Sequence, residues 1–197
     1  MLKSRHTPDL TLSLVFFLEV VFLSPSAYAS GLSDLQDWYS GVTQNLNNVY
    51  DNGLPTILVP AYTWHDPTTY SQAALATYND IPLGIGWSKS LINADGNSEM
   101  LSGMVFVDSG NHLEPVVSYT KQWLWAPFAG NFKLGGGYSA GVTARADIDH
   151  YIPVPFVLPA ASICYGTLTL NITIVPEIKN ITPNTGNVAL FSFNIPY

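Results

Sequence analysis

Val188-Ala189-Leu190-Phe191-Ser192-Phe193-Asn194-Ile195-Pro196-Tyr197 ends the chain as a run of apolar and small polar residues with no helical period and an aromatic at its last position. Bounded upstream by Gly186-Asn187, this run reads as a β-strand. Working back from it, seven further strand-like segments fall at roughly 56–65, 81–93, 99–109, 114–126, 131–146, 154–165 and 167–176, with the last at 186–197. Eight is an even number. Compact turns such as Asn93-Ala94-Asp95-Gly96-Asn97-Ser98 and Tyr165-Gly166 contrast with a long polar connection from Asp66 to Asp80. An even strand count, uneven turns and a C-terminal strand ending on an aromatic suit a transmembrane barrel; the same pattern also fits a soluble sandwich or a lipocalin-like barrel.

The N-terminus bears on that choice. Lys3, Arg5 and His6 precede an apolar run from Leu12 to Leu23, and Ala27-Tyr28-Ala29 offers a cleavage site, so residues 1–29 read as a signal peptide. Export removes Lys3 and Arg5 together with Asp9 and Glu19, which leaves the net charge of −7 unchanged and no basic cluster. Nucleic acid is therefore excluded as a partner. Only 11% of residues are charged and 47% are hydrophobic, which demands a packed or lipid-embedded fold.

Between the cleavage site and the first strand, Leu35, Trp38, Tyr39, Val42, Leu46 and Val49 recur at three- and four-residue steps. This pattern predicts one amphipathic helix over 30–54, with Ser33 as N-cap and Asn52-Gly53 before Pro55 as its end. Such a helix can pack on a core, lie on a membrane surface or brace a barrel from outside. The expected fold is all-β: an eight-stranded antiparallel transmembrane β-barrel over 55–197, preceded by that periplasmic helix.

Met104-Val105-Phe106-Val107, Pro115-Val116-Val117 and Val154-Pro155-Phe156-Val157-Leu158-Pro159-Ala160-Ala161 are apolar on both faces, whereas a water-filled pore needs a polar lumen. The interior is therefore expected to hold a lipid chain. Cys164 is the only cysteine; it can form no intrachain disulfide, has no metal-ligand partner, and reads as an apolar filler. No metal and no other cofactor is expected.

With the chain starting in the periplasm, odd-numbered strands run outward, which puts His65 and the pair Asp108-Ser109 at the outer rim. His, Asp and Ser are the residue types that activate a hydroxyl for acyl transfer. The bland alternative is a turn-opening Asp-Ser pair and a solvated histidine at a strand end. Because neighbouring strand residues point to opposite faces, Asp108 and Ser109 can share a site only if the strand has ended or bulged there.

At these residues the chain resembles the PagP family of lipid A palmitoyltransferases. Tyr62-Thr63-Trp64-His65, Val107-Asp108-Ser109 with Glu114-Pro115, Ala140-Gly141-Val142-Thr143-Ala144-Arg145, Tyr151-Ile152-Pro153-Val154-Pro155, Leu158-Pro159-Ala160-Ala161-Ser162, Tyr165-Gly166 and Gly186-Asn187-Val188 follow the family's order. The likeness implies an outer-membrane enzyme that takes an acyl chain from the sn-1 position of a phospholipid and attaches it to the hydroxyacyl chain on the proximal glucosamine of lipid A. Resistance to cationic antimicrobial peptides is its expected consequence. It implies His65, Asp108 and Ser109 as catalytic residues. Its partners would be a phospholipid donor, a lipid A acceptor and outer-membrane lipids, and self-association into a homodimer is left open. Rival readings are a non-enzymatic barrel with a polar lumen and a phospholipase with water as acceptor.

Prolines match the family's places too: Pro60 and Pro82 on the first and second strands, Pro159 and Pro176 on the sixth and seventh. Each removes an N–H from the ladder, so two lateral gates for lipids are expected. Thr120 stands where the family has a glycine at the floor of the acyl pocket, which implies a donor chain shorter than palmitate unless Gly135, Gly136 and Gly137 deepen the pocket. The chain departs from the family in the connection 66–78, which has no Lys or Arg, and in 177–185, which lacks an expected tyrosine. Asn171-Ile172-Thr173 and Asn180-Ile181-Thr182 match a glycosylation pattern that has no meaning in a bacterial outer membrane.

Overall fold

The computed structural model describes residues 31–127, 130–148, 150–177 and 186–197. The expected signal peptide and the second glycosylation-like triplet lie outside the described residues. Eight antiparallel strands close into a barrel in chain order: β1 Leu54–His65, β2 Gly84–Ile92, β3 Ser98–Val107, β4 Leu113–Trp125, β5 Phe132–Ala144, β6 Pro153–Tyr165, β7 Leu168–Val175 and β8 Val188–Pro196. The C-terminal run does what its pattern predicts: β8 pairs with β1 from Thr56↔Pro196 to His65↔Val188 and closes the sheet. A bulge between Pro60 and Tyr62 interrupts that pairing, at the residue that has no N–H to give.

Helix α1 runs Gly31–Asn52. Ser33 therefore lies inside its first turn rather than capping it, because the helix already starts at Gly31; Leu54, expected at the end of the helical segment, opens β1 instead. The part up to Gln44 and the part from Asn45 on belong to different compact units. In the first, Thr43 Oγ1 donates back to the Tyr39 carbonyl at 2.7 Å. In the second, the last turns of α1 brace the outside of the barrel. Asn45 Nδ2 donates to the Tyr119 hydroxyl at 3.0 Å, and Val49 is fully buried. The Tyr50 ring meets Trp87 edge-on at 6.4 Å. The Lys89 ammonium stands 5.0 Å over the Tyr50 ring and donates to the Tyr50 carbonyl. Gly53 is required at this corner, since a Cβ there would run into the Val49 carbonyl oxygen.

The two faces of the strands obey period-two alternation. Through the middle of the wall the outward residues are apolar and bare: Ile85 and Val117 are each 65% exposed, and Val105, Val142, Val157 and Ile174 join them, while lower down the outward pair Glu99 and Lys121 stands 3.6 Å apart with Glu99 buried. A continuous belt of this kind fits hydrocarbon and not water. Aromatics edge the belt, with Tyr62 and Trp64 towards the end of β1 and Trp87, Trp123, Trp125, Tyr165 and Tyr197 towards the opposite end. Trp87 Nε1 donates to the Tyr197 hydroxyl at 3.1 Å within the second girdle.

The end of the barrel holding His65 is its upper end here, and the end with the tight turns its lower end. Those turns use the expected residues. Asn93 Oδ1 accepts from the N–H groups of Asp95 and Asn97, Gly96 takes a φ of 79°, and Gly166 a φ of 60°. The upper connection 66–83 is not purely loop, because a single turn of helix, α2 Gln72–Leu75, is capped by Ser71.

The lumen is split. Its lower half carries a hydrogen-bonded polar network. Thr56 pairs with Ser88 at 2.5 Å and Ser102 with Ser118 at 2.9 Å. Thr120 Oγ1 donates to Ser139 at 3.0 Å, Ser162 to Gln122 Oε1 at 2.7 Å, and Asn171 to Asn194 at 3.1 Å. Asn171 is thus spent inside the barrel. The same alternation turns Met104, Phe106, Val116, Phe156 and Leu190 inward in the upper half, with one polar pair near the rim, where Thr143 Oγ1 donates to Glu114 at 2.7 Å, while Leu58 and Leu158 face inward at about the level of the network. A mainly apolar wall above and a polar network below is a finer answer than either lumen expected from sequence.

The barrel wall also has two short ladders. β1 pairs with β2 only from Leu54↔Ser90 to Leu58↔Gly86, and β6 with β7 only from Tyr165↔Leu168 to Ala160↔Thr173. Pro60 and Pro159 lie within strands beside those lapses, but Pro82 precedes β2 and Pro176 follows β7. The expected placement of Pro82 and Pro176 on strands is thus corrected: a residue without an N–H cannot extend a ladder, and both strands stop short of it.

Candidate functional site

His65 is the last residue of β1 and points inward, only 7% exposed. Aromatic rings hold it on two sides. Tyr78 stacks on it at 4.6 Å and 26°, and Tyr70 meets it edge-on at 5.5 Å and 82°. Burial pushes the Tyr70 phenol up to about 12, so it stays protonated and donates to the Gly186 carbonyl at 3.2 Å. Asp66, next along the chain, is held below the usual carboxylate range by hydrogen bonds from the Thr68 side chain, the Thr68 N–H and Asn187. These contacts fix the upper connection over the end of β1.

β3 ends at Val107, so Asp108 and Ser109 belong to the turn and not to the strand. The condition set by strand alternation is met, and both can face one site. Asp108 is buried and makes an Asx-type turn: its Oδ1 accepts from the N–H groups of Gly110 and His112, each at 2.8 Å, while its own N–H donates to the His112 carbonyl at 2.7 Å. His112 Nδ1 stands 3.8 Å from the same oxygen. Asp108 therefore fixes the turn that presents Ser109.

The carboxylate on His65 is not Asp108. Nδ1 of His65 lies 3.0 Å from Oδ1 of Asp80, at the far end of the upper connection. The same short segment reaches both strand ends, since the Asp80 carbonyl accepts from the Thr63 N–H at 2.9 Å and the Asn79 N–H donates to the Ser109 carbonyl at 3.0 Å. The structure thus brings His65, Asp108 and Ser109 to one rim through residues 78–80, which sequence reading missed. Only Pro82, two residues beyond Asp80 where the chain turns back to β2, hinted at it.

The other expected site residues lie lower. Thr120 is buried on the inner face of β4, level with Met100 and Ser139 and one inward position below the Ser102–Ser118 pair. The neighbouring glycines open no space beside it. A Cβ on Gly137 would meet the Lys121 carbonyl and one on Gly135 the Ser162 hydroxyl, while Gly136 faces outward to Trp125. Pro60 and Pro159 flank the lapsed ladders described above, with Pro82 and Pro176 just beyond the strand ends. Among the described residues Arg145 is the only Lys or Arg beyond the upper strand ends, and it is clamped by Asp147 at 2.9 and 2.8 Å. Among the described residues no group of acidic, His and Cys side chains could hold a metal ion.

Fold and site together define a small lipid-facing barrel whose upper rim carries acyl-transfer residue types above an apolar bore. Residues 45–194 match the family model described as "Antimicrobial peptide resistance and lipid A acylation protein PagP". A protein of Musicola paradisiaca named lipid A acyltransferase PagP is 40% identical over 180 residues, 89% of this chain and 91% of that relative. The protein of that name from Serratia proteamaculans is 42% identical over 150 residues, 76% of this chain and 72% of its own. Its namesake in Klebsiella pneumoniae is 38% identical over 174 residues, 87% and 89% of the two chains. The chain belongs to the PagP family.

Proposed function

We propose that this protein is a lipid A acyltransferase of the outer membrane, reached by export with cleavage of residues 1–29. In this reading it moves an acyl chain from the sn-1 position of a phospholipid to the hydroxyacyl chain on the proximal glucosamine of lipid A and so confers resistance to cationic antimicrobial peptides. The observation that carries it, beside family membership, is an upper lumen walled mainly by apolar side chains, Met104, Phe106, Val116 and Phe156 among them, beneath the rim where His65 and Ser109 lie. A bore of that kind suits an acyl tail threaded inward with its ester left at the rim.

The steps follow from the groups there. Nε2 of His65 takes the proton of the acceptor hydroxyl as its oxygen attacks the sn-1 carbonyl carbon. The Ser109 hydroxyl donates to the carbonyl oxygen as it gains charge, and Asp108 keeps the turn carrying Ser109 in place. The carbon–oxygen bond to glycerol then breaks, and the proton on His65 passes to the departing glycerol oxygen. The products are acylated lipid A and a lysophospholipid. All these groups come from one chain, so a homodimer would pair two complete sites.

The purified barrel, given phospholipid labelled in its sn-1 chain and lipid A, is expected to place label on lipid A in a one-to-one ratio with lysophospholipid. Label appearing only as free fatty acid would make it a phospholipase, and no release at all a non-enzymatic barrel.

Thr120 sets the donor length in this reading. Relative to glycine it adds side-chain atoms on the inner wall of the barrel, and an interior near crystal density cannot absorb them. The chain should shorten by roughly as many methylenes as atoms are added, each worth about 0.8 kcal/mol of burial. Mass spectra of the product are expected to show an added chain shorter than palmitate that lengthens in Thr120→Gly. Identical palmitate additions by both proteins would remove Thr120 from the floor.

A further inference from the structure

Three consecutive residues of the upper connection each touch one part of the site. Tyr78 covers the face of His65, Asn79 is bonded through its N–H to the Ser109 carbonyl, and Asp80 reaches Nδ1 of His65 at 3.0 Å. Asn79 Nδ2 also donates to Asn111 Oδ1 at 3.1 Å, in the turn that holds Ser109. The backbone of Asp80 is itself anchored by the bond from the Thr63 N–H to its carbonyl, which holds the residue beside the end of β1. Asp108, by contrast, is committed to the N–H groups of Gly110 and His112.

We infer that Asp80 is the positioning residue for His65, and that residues 78–80 are the element that makes two strand ends one site. A carboxylate on Nδ1 fixes the tautomer with the proton there, which leaves the Nε2 lone pair free as base. It also stabilises the imidazolium while the proton is carried from acceptor to glycerol oxygen. Asp80 touches neither lipid. Its side chain is 48% exposed, so its effect is expected to be smaller than that of a fully buried orienting carboxylate.

The inference rests on the acyltransferase reading and is tested apart from it. Asp80→Asn is expected to lower kcat roughly 10- to 100-fold with KM for the phospholipid unchanged, and Asp80→Glu to recover most of the loss. Full kcat in Asp80→Asn, or no recovery in Asp80→Glu, would overturn it. The unmodified barrel gives an independent answer. Nitrogen NMR of labelled histidine in micelles at about pH 8, where an ordinary imidazole is neutral, should show His65, assigned by its loss in His65→Ala, protonated at Nδ1. Protonation at Nε2 alone would contradict it. Failure of the parent reading would be seen separately, as an unmodified barrel that transfers no acyl chain.

Discussion

His65→Ala and Ser109→Ala are each expected to reduce acyl transfer to background while leaving a barrel that still shifts on a gel when heated. A positioned base contributes about 10²–10⁴-fold and a donor to a developing oxyanion about 10²–10³-fold. Asp108→Ala should fall with them by a different route, since it releases the Gly110 and His112 N–H groups and with them the turn carrying Ser109. None of the three side chains belongs to the polar network that fills the lower lumen, and the ladders that close the barrel are made by backbone. Stability should therefore be spared. Retained transfer in both His65→Ala and Ser109→Ala would end the catalytic reading, and loss of the heat shift would mean that the rim holds the barrel together.

Closing the seam between β6 and β7 is expected to stop turnover as completely. The β6–β7 ladder ends at Ala160↔Thr173, although β6 continues back to Pro153 and β7 on to Val175. Continuing the register would set Pro159 opposite Ile174. Facing residues of an antiparallel pair stand about 4.5–5.5 Å apart, within disulfide range, so cysteines at these two positions can bond only when the seam is shut and then hold it shut. Cys164, the chain's own cysteine, is first replaced by serine to prevent mispairing. The reduced protein should turn over and the oxidised protein should not. Full activity after oxidation would exclude this seam as the path for lipid and leave the lapse between β1 and β2 beside Pro60 and Pro82 as the candidate.

Much of this architecture was legible because barrel strands carry their own record. Val154, Phe156 and Leu158 inward with Pro155, Val157 and Pro159 outward made β6 readable as apolar on both faces, and Asn93 with Gly96 marked a turn by local chemistry alone. The split lumen was not legible. Ser88, Ser102, Ser118, Ser139 and Ser162 come from five strands, and only barrel closure shows that they face one another. The partner of His65 was hidden for the same kind of reason. Asp80 sits in a loop whose course is set by bonds to Thr63 and Ser109, and a loop has no period from which to read it. Pro82 and Pro176 were placed on strands because alternation continues past the point where pairing stops.

The most direct test of the account is the mass spectrum of lipid A from otherwise identical cells that lack the protein, express it, or express its His65→Ala form. Expression of the active protein should add the mass of one acyl chain to lipid A, with matching lysophospholipid in the membrane, and the other two cultures should lack that species. Lipid A of the same mass in all three cultures, with the folded barrel present in the outer membrane, would contradict it.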